Sequence, residues 1–229
     1  MYGKLAVLTT LALMLVPGAA LSQCKNQITM LPFSPMKAAS KPRNFIRYRY
    51  PLSSSDSLMI RSHEDSETTI GPYDLGFSIA RDEKILQTVR LRELPEFRRD
   101  DSFFSESFAT LAVSSACTSD GPIYFVTMKY MGDEISPALV FVLVPSEDGY
   151  EISNLPLISG GTVDVSKSDP HNLRVWHNLN EGMCNACETA YRITDYEIRK
   201  GKPVRIRQYR TQHLYSSGQF DDSRIRFVP

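Results

Sequence analysis

Runs of side chains that alternate in character with a period of two recur along this chain, and Gly, Pro, Asp or Ser cuts each run short before it could serve as a helix. The fullest example runs from Leu173 to Arg210: LRVWHNL, the cysteine loop NEGMCNACE, TAYRITDYEI, the turn RKGK, then PVRIRQYR. It reads strand, loop, strand, tight turn, strand. Two earlier stretches follow the same plan. One consists of LMIRSH, a polar loop, GFSIA, RDEK and ILQTVRL; the other of IYFVTMKY, MGDEIS, PALVFVLV, PSEDG and YEISNLP. Aligned on their tight turns, the three place Lys84, Gly149 and Gly201 in equivalent positions, with almost no residue identity, so the plan repeats rather than the sequence.

A three-stranded unit can bury one face only against a neighbour. The expected fold is therefore all-β, built of antiparallel meander units in a propeller-like or sandwich-like arrangement. PALVFVLV carries so little polar content that it is expected to be buried on both faces. At most one or two short helices are expected. The candidate lies between Ser102 and Ser114, where Phe104, Phe108 and Leu111 have helical spacing, although FATLAVSSA also alternates well enough for a strand.

The first residues, MYGKLAVLTTLALMLVPGAALSQ, hold one cation at Lys4, an uncharged apolar run from Leu5 to Val16, the breaker pair Pro17-Gly18 and then small residues. This order predicts a signal peptide over residues 1–22 and a secreted or periplasmic mature chain. The apolar run falls short of the ~20 residues a membrane-spanning helix needs, and no later segment is apolar for long enough. Residues 23–43 contain three prolines and no sustained period, so they read as an extended lead-in, with a single β-rich domain over 44–229. Of the 26 Lys and Arg and 26 Asp and Glu, cleavage removes only Lys4. The resulting near-neutral chain has no global field for nucleic acid or a membrane surface.

Four cysteines survive cleavage, an even number in an exported chain, which makes disulfides the default. Three pairings are open, and the expected one joins Cys24 to Cys117 and Cys184 to Cys187. The first bridge would anchor the lead-in to the sheet; the second closes a very short loop. Cys184 and Cys187 also form C-x-x-C, the motif of thiol-disulfide oxidoreductases, in which a helix N-terminus lowers the attacking thiol's pKa. Here ETAYRITDYEIR follows, β-branched and aromatic, and it points to a hairpin instead.

Other chemistry finds little support. Glu188 stands where haem attachment needs His after C-x-x-C, and zinc would have only His171 and His177 nearby as further ligands. No G-x-S-x-G nucleophile elbow occurs. Asp100-Asp101 and Asp221-Asp222 are sequential pairs whose members face opposite sides of a strand. The four histidines, His63, His171, His177 and His213, read as strand-end or loop residues. No catalytic residue, metal ligand or cofactor is expected. Val163 to Asp169, followed by Leu173 to Trp176, resembles the FG-GAP propeller repeat over about 14 residues. Ser166, Ser168 and Asp169 stand where such loops carry calcium ligands and a glycine, too few anionic oxygens for a cation that takes 6–8 oxygen ligands. The resemblance implies a turn into a strand and no metal site.

From Ala190 to Pro229, nine basic side chains face four acidic ones. In PVRIRQYR, strict alternation places Arg205, Arg207 and Tyr209 on one face and Val204 and Ile206 on the other. Such a face suits an anionic polysaccharide or an acidic protein; the plain alternative is a solvated edge strand whose charges deter aggregation. LRVWHNL is expected to bury Trp176, with Val175 and His177 on the opposite side. The expected function is a non-catalytic binding or scaffolding module outside the cytoplasm, and the alternative is an exported thiol-disulfide oxidoreductase using Cys184 and Cys187.

Overall fold

The computed structural model describes residues 26–31, 45–62, 75–90, 93–94, 108–130, 137–156, 158–179, 187–216 and 225–229. After β1 (Gln27–Leu31), a four-stranded antiparallel sheet forms from β2 (Phe45–Pro51), β3 (Asp56–Ser62), β4 (Leu75–Arg81) and β5 (Lys84–Arg90), each paired with the next. A second sheet contains β6 (Phe108–Thr118), β7 (Gly121–Tyr130), β8 (Pro137–Ser146), β9 (Gly149–Asn154) and β10 (Ile158–Ser159). Its order is β1-β6-β7-β8, and β9 and β10 share β8's far edge. The third comprises β11 (Thr162–Ser166), β12 (Asn172–Asn178), β13 (Tyr191–Arg199), β14 (Lys202–Arg210) and β15 (Ile225–Val228), in the order β14-β13-β12-β11-β15. Only β11 and β15 pair in parallel among the described strands.

The middle sheet lies between the other two. Tyr124, Val126, Met128, Leu139, Phe141 and Leu143 meet Leu58, Phe77 and Ile79 of the first sheet. Alternate residues on the other face, Ile123, Phe125, Val140 and Val142, meet Val163, Val165, Leu173 and Val175 of the third. This is why PALVFVLV has no polar side: Ala138 through Leu143 are all buried. Each large apolar side chain so enclosed contributes roughly 1.5–3 kcal/mol relative to exposure. Phe77 packs edge-on against Phe141 at 5.1 Å between ring centroids.

Polar ties also join the first two layers. Asp56 accepts from Arg81 Nε (2.8 Å) and Nη2 (3.1 Å), from Ser55 Oγ (3.2 Å), and across the layer from Tyr150 Oη (3.2 Å). The Arg81 hydrogen bonds hold the Asp56 carboxyl below the usual carboxylate range despite burial. Tyr124 Oη donates to the Leu52 carbonyl, and burial pushes that phenol up to about 12. Gln87 caps the open edge of β9, donating to the Tyr150 carbonyl (2.6 Å) and accepting from its N–H (3.0 Å).

Each expected unit is a real meander, and each sheet contains one: β3-β4-β5, β7-β8-β9 and β12-β13-β14. Their two-residue turns are Asp82-Glu83, Glu147-Asp148 and Lys200-Gly201. Asp82, Glu83, Lys200 and Gly201 take positive φ, as tight hairpin turns of primed type require. The arrangement is sandwich-like, with no closed barrel.

No α-helix occurs among the described residues, in keeping with the at most one or two short helices expected. The candidate helix region is β-strand from Phe108 onward, and residues 101–107 lie outside the described residues. The period leaves helix and strand open there because β6 is enclosed on both sides: Val113, Ser114, Ser115 and Ala116 are all buried, so no exposed polar face marks the strand. The lead-in contains a strand, with Gln27 opposite Ser115 and Leu31 opposite Leu111. The signal-peptide expectation for residues 1–22, Cys24 and Cys184 lie outside the described residues.

Candidate binding face

The third sheet turns Val163, Val165, Leu173, Val175, Tyr196 and Ile198 toward the middle layer. The opposite parity forms an outer face. On it, registered cross-strand positions place Arg226, Asp164, Arg174, Asp195 and Arg207 in one row across all five strands, alternating in sign. Arg226 donates to Asp164 through Nε (2.7 Å) and Nη2 (2.9 Å), and Trp176 Nε1 donates to the same carboxylate (2.9 Å). Arg174 donates to Asp195 through Nε (2.8 Å) and Nη2 (3.4 Å), and Arg207 Nε donates to it from the other side. Opposite charges on neighbouring strands stabilise a sheet by ~0.2–1 kcal/mol per pair.

Burial is unequal along the row. The Asp195 side chain is 16% exposed and that of Arg207 63%. Burial raises the Asp195 carboxyl's pKa, but hydrogen bonds from Arg174 and Arg207 outweigh it and hold the group below its usual range. The same bonds raise Arg174. Tyr209 completes the group: Arg207 lies 5.4 Å from its ring centroid and Arg174 6.0 Å, within cation–π range. A groove of about 480 Å³ runs over the row, bounded by Ser166 and Val228 at one end and Ile206 at the other.

A β-bulge decides which residues of β14 share this face. Asp195 is opposite Arg207, yet Tyr196 is opposite Arg205, so Ile206 is an extra residue. Arg207 and Tyr209 are therefore on the outer face with Asp195. Arg205 lies on the other face, beside Gln208, to which it donates at 3.5 Å. The expected trio is split, because a bulge resets the parity that strict alternation assumes. Nothing in the sequence assigns Arg174, Arg226, Asp164 and Asp195 to this face, since each is one charge in an ordinary alternating strand.

Trp176 and His177 also differ from expectation. Trp176 is on the opposite face from Val175 and His177, as the alternation indicates, but its face is the outer one and it is only half-buried. It packs edge-on against Tyr191 (6.1 Å) and Tyr215 (6.4 Å), where the chain after β14 folds back through a Thr189–Tyr215 bridge. His177, read as a strand-end or loop residue, is in the interior of the sandwich at 5% exposure.

Cys117 and Cys187 are both disulfide-bonded. The residues after Cys187 lead through the Thr189 bridge into β13, so a strand stands where a thioredoxin-like motif would have its helix. No family model, curated protein or solved structure matches the chain.

Proposed function

We propose that this protein is an exported, non-catalytic binding module that takes an anionic macromolecule at the Arg174, Arg207 and Tyr209 end of the third sheet. The observation that carries the reading is the setting of the two guanidinium groups. One largely buried carboxylate and one exposed ring hold both, so little side-chain freedom is left to lose when a ligand binds. The row counts three arginines against two aspartates, and Lys202, Arg205 and Arg210 of β14 add positive charge. Export is supported by the apolar N-terminal segment and by the oxidised state of Cys117 and Cys187.

The four cysteines serve as structural disulfides in this reading. Asn26 Oδ1 accepts from the Cys117 N–H at 2.9 Å, and the register of β1 with β6 sets Gln27 opposite Ser115, two residues before Cys117. This supports Cys24 with Cys117, which leaves Cys184 with Cys187. The oxidoreductase alternative has the strand after Cys187 against it; turnover in an insulin-reduction assay would restore it.

Retention of the mature chain on immobilised polyuronate and poly-glutamate, compared with neutral dextran, tests the binding function. Retention on both polyanions is expected, released by salt and weakened at least tenfold by Arg174→Ala with Arg207→Ala. Equal retention on dextran, or an unchanged double variant, overturns the reading.

A further inference from the structure

Resting on that anionic-ligand reading, we infer that the partner is an acidic, extended polypeptide segment that pairs with β14 as a sixth strand of the third sheet. Among the described strands β14 ends its sheet. Eight of its nine residues, all but Pro203, are exposed, so neither face of the strand is fully covered. An edge of this kind presents a row of backbone donors and acceptors to a partner. Exposed apolar groups line it as well, Val204, Ile206 (52%) and Tyr209, although charged edges normally avoid them.

Charge identifies the occupant. β14 carries Lys202, Arg205, Arg207 and Arg210 and no carboxylate. A second copy of the same strand would set cations against cations, which opposes self-pairing. The bulge then separates an added strand from a polyanion lying flat. Lys202, opposite Arg199, and Arg207, opposite Asp195, belong to the outer face; Arg205 and Arg210, opposite Tyr196 and Arg192, belong to the other. A polymer laid on the outer face meets two of the four cations, together with Asp195 and Asp164. A paired strand projects side chains to both faces and reaches all four. Pro203 has no N–H to offer, so pairing covers residues 204–210, about 23 Å of extended chain. The recognised segment carries acidic side chains at both odd and even positions.

The test titrates the full mature chain with a decapeptide of Glu, Thr and Val that has carboxylates on both strand faces. Two further probes are the same peptide N-methylated at alternate backbone nitrogens, in either phase, and soluble polyuronate. Strand pairing predicts at least a tenfold loss of affinity for one methylated phase and a much smaller loss for the other. Arg205→Glu weakens binding at least tenfold, as Arg207→Glu does. Because Arg207 also holds Asp195, Arg205→Glu is the cleaner variant. If both methylated phases bind like the parent, or Arg205→Glu has no effect while Arg207→Glu abolishes binding, strand pairing is wrong and flat anion binding stands. If neither the peptide nor polyuronate binds, both readings fail.

Discussion

His177 should make this protein acid-sensitive in a window that opens well above the range where surface carboxylates titrate. Its ring lies inside the sandwich at 5% exposure, with Arg192 opposite it in register. Burial, and to a lesser extent the Arg192 charge, lowers its pKa from 6.5 to about 4. The unfolded chain therefore takes up this proton at a higher pH than the folded protein does. The contribution of a neutral His177 is complete above the unfolded value and is lost as pH falls from 6.5 towards 4. At about 1.4 kcal/mol per pH unit, that interval amounts to about 3 kcal/mol, a large part of the 5–15 kcal/mol typical of a domain. Urea unfolding at pH 7, 6, 5 and 4, followed by Trp176 fluorescence, measures it against His177→Gln. The variant should be less stable at pH 7 yet lose about 3 kcal/mol less than the wild type by pH 4. Parallel stability curves, or an imidazole NMR titration near 6.5 in the folded protein, would refute the argument.

Asp56→Ala removes the acceptor of Tyr150 Oη and the partner of Arg81, and should cost about 2–4 kcal/mol by thermal or urea unfolding, with Arg81's partial exposure keeping the loss from being larger. Asp56's own contribution, with its carboxyl held low by Arg81, is present above the ordinary aspartate range and disappears only as pH falls through the lower folded value, so its loss follows that of His177 on acidification. Gly201→Ala would force a side chain into positive φ and set its Cβ 2.3 Å from that of Glu151, and a loss of at least about 2 kcal/mol is expected from calorimetry. Non-reducing peptide mapping should recover Cys24 linked to Cys117, and Cys117→Ser should cost about 3–5 kcal/mol in the chain-entropy account; a peptide joining Cys24 to Cys184 or Cys187 would contradict the pairing.

Local pattern was enough to find most of the architecture. The meanders β3-β4-β5, β7-β8-β9 and β12-β13-β14 were legible from period-two runs and turn residues, because strand alternation and tight-turn chemistry act between residues close in sequence. The double burial of PALVFVLV followed equally directly from its lack of polar side chains. What local pattern leaves open is which parity of a strand faces the interior, and that depends on the neighbouring layer. The stretch from Ser102 to Ser114 stays open between a helix on Phe104, Phe108 and Leu111 and a strand through FATLAVSSA because two layers enclose β6. His177 could be taken for a loop residue because nothing within LRVWHNL says that its face, and not Trp176's, packs on the middle sheet.

The binding face depends still more on tertiary structure. Its row of charges takes one residue from each of five strands, and Asp164 meets Arg226 across 62 residues of chain through the parallel β11-β15 pair. The concentration of positive charge in the last 40 residues, and Arg207 and Tyr209 within it, could be read from the sequence alone. The separation of Arg205 from them could not. One extra residue at the bulge beside Asp195 reverses the parity of β14, and whether a strand accommodates such a residue is decided by the partner it pairs with.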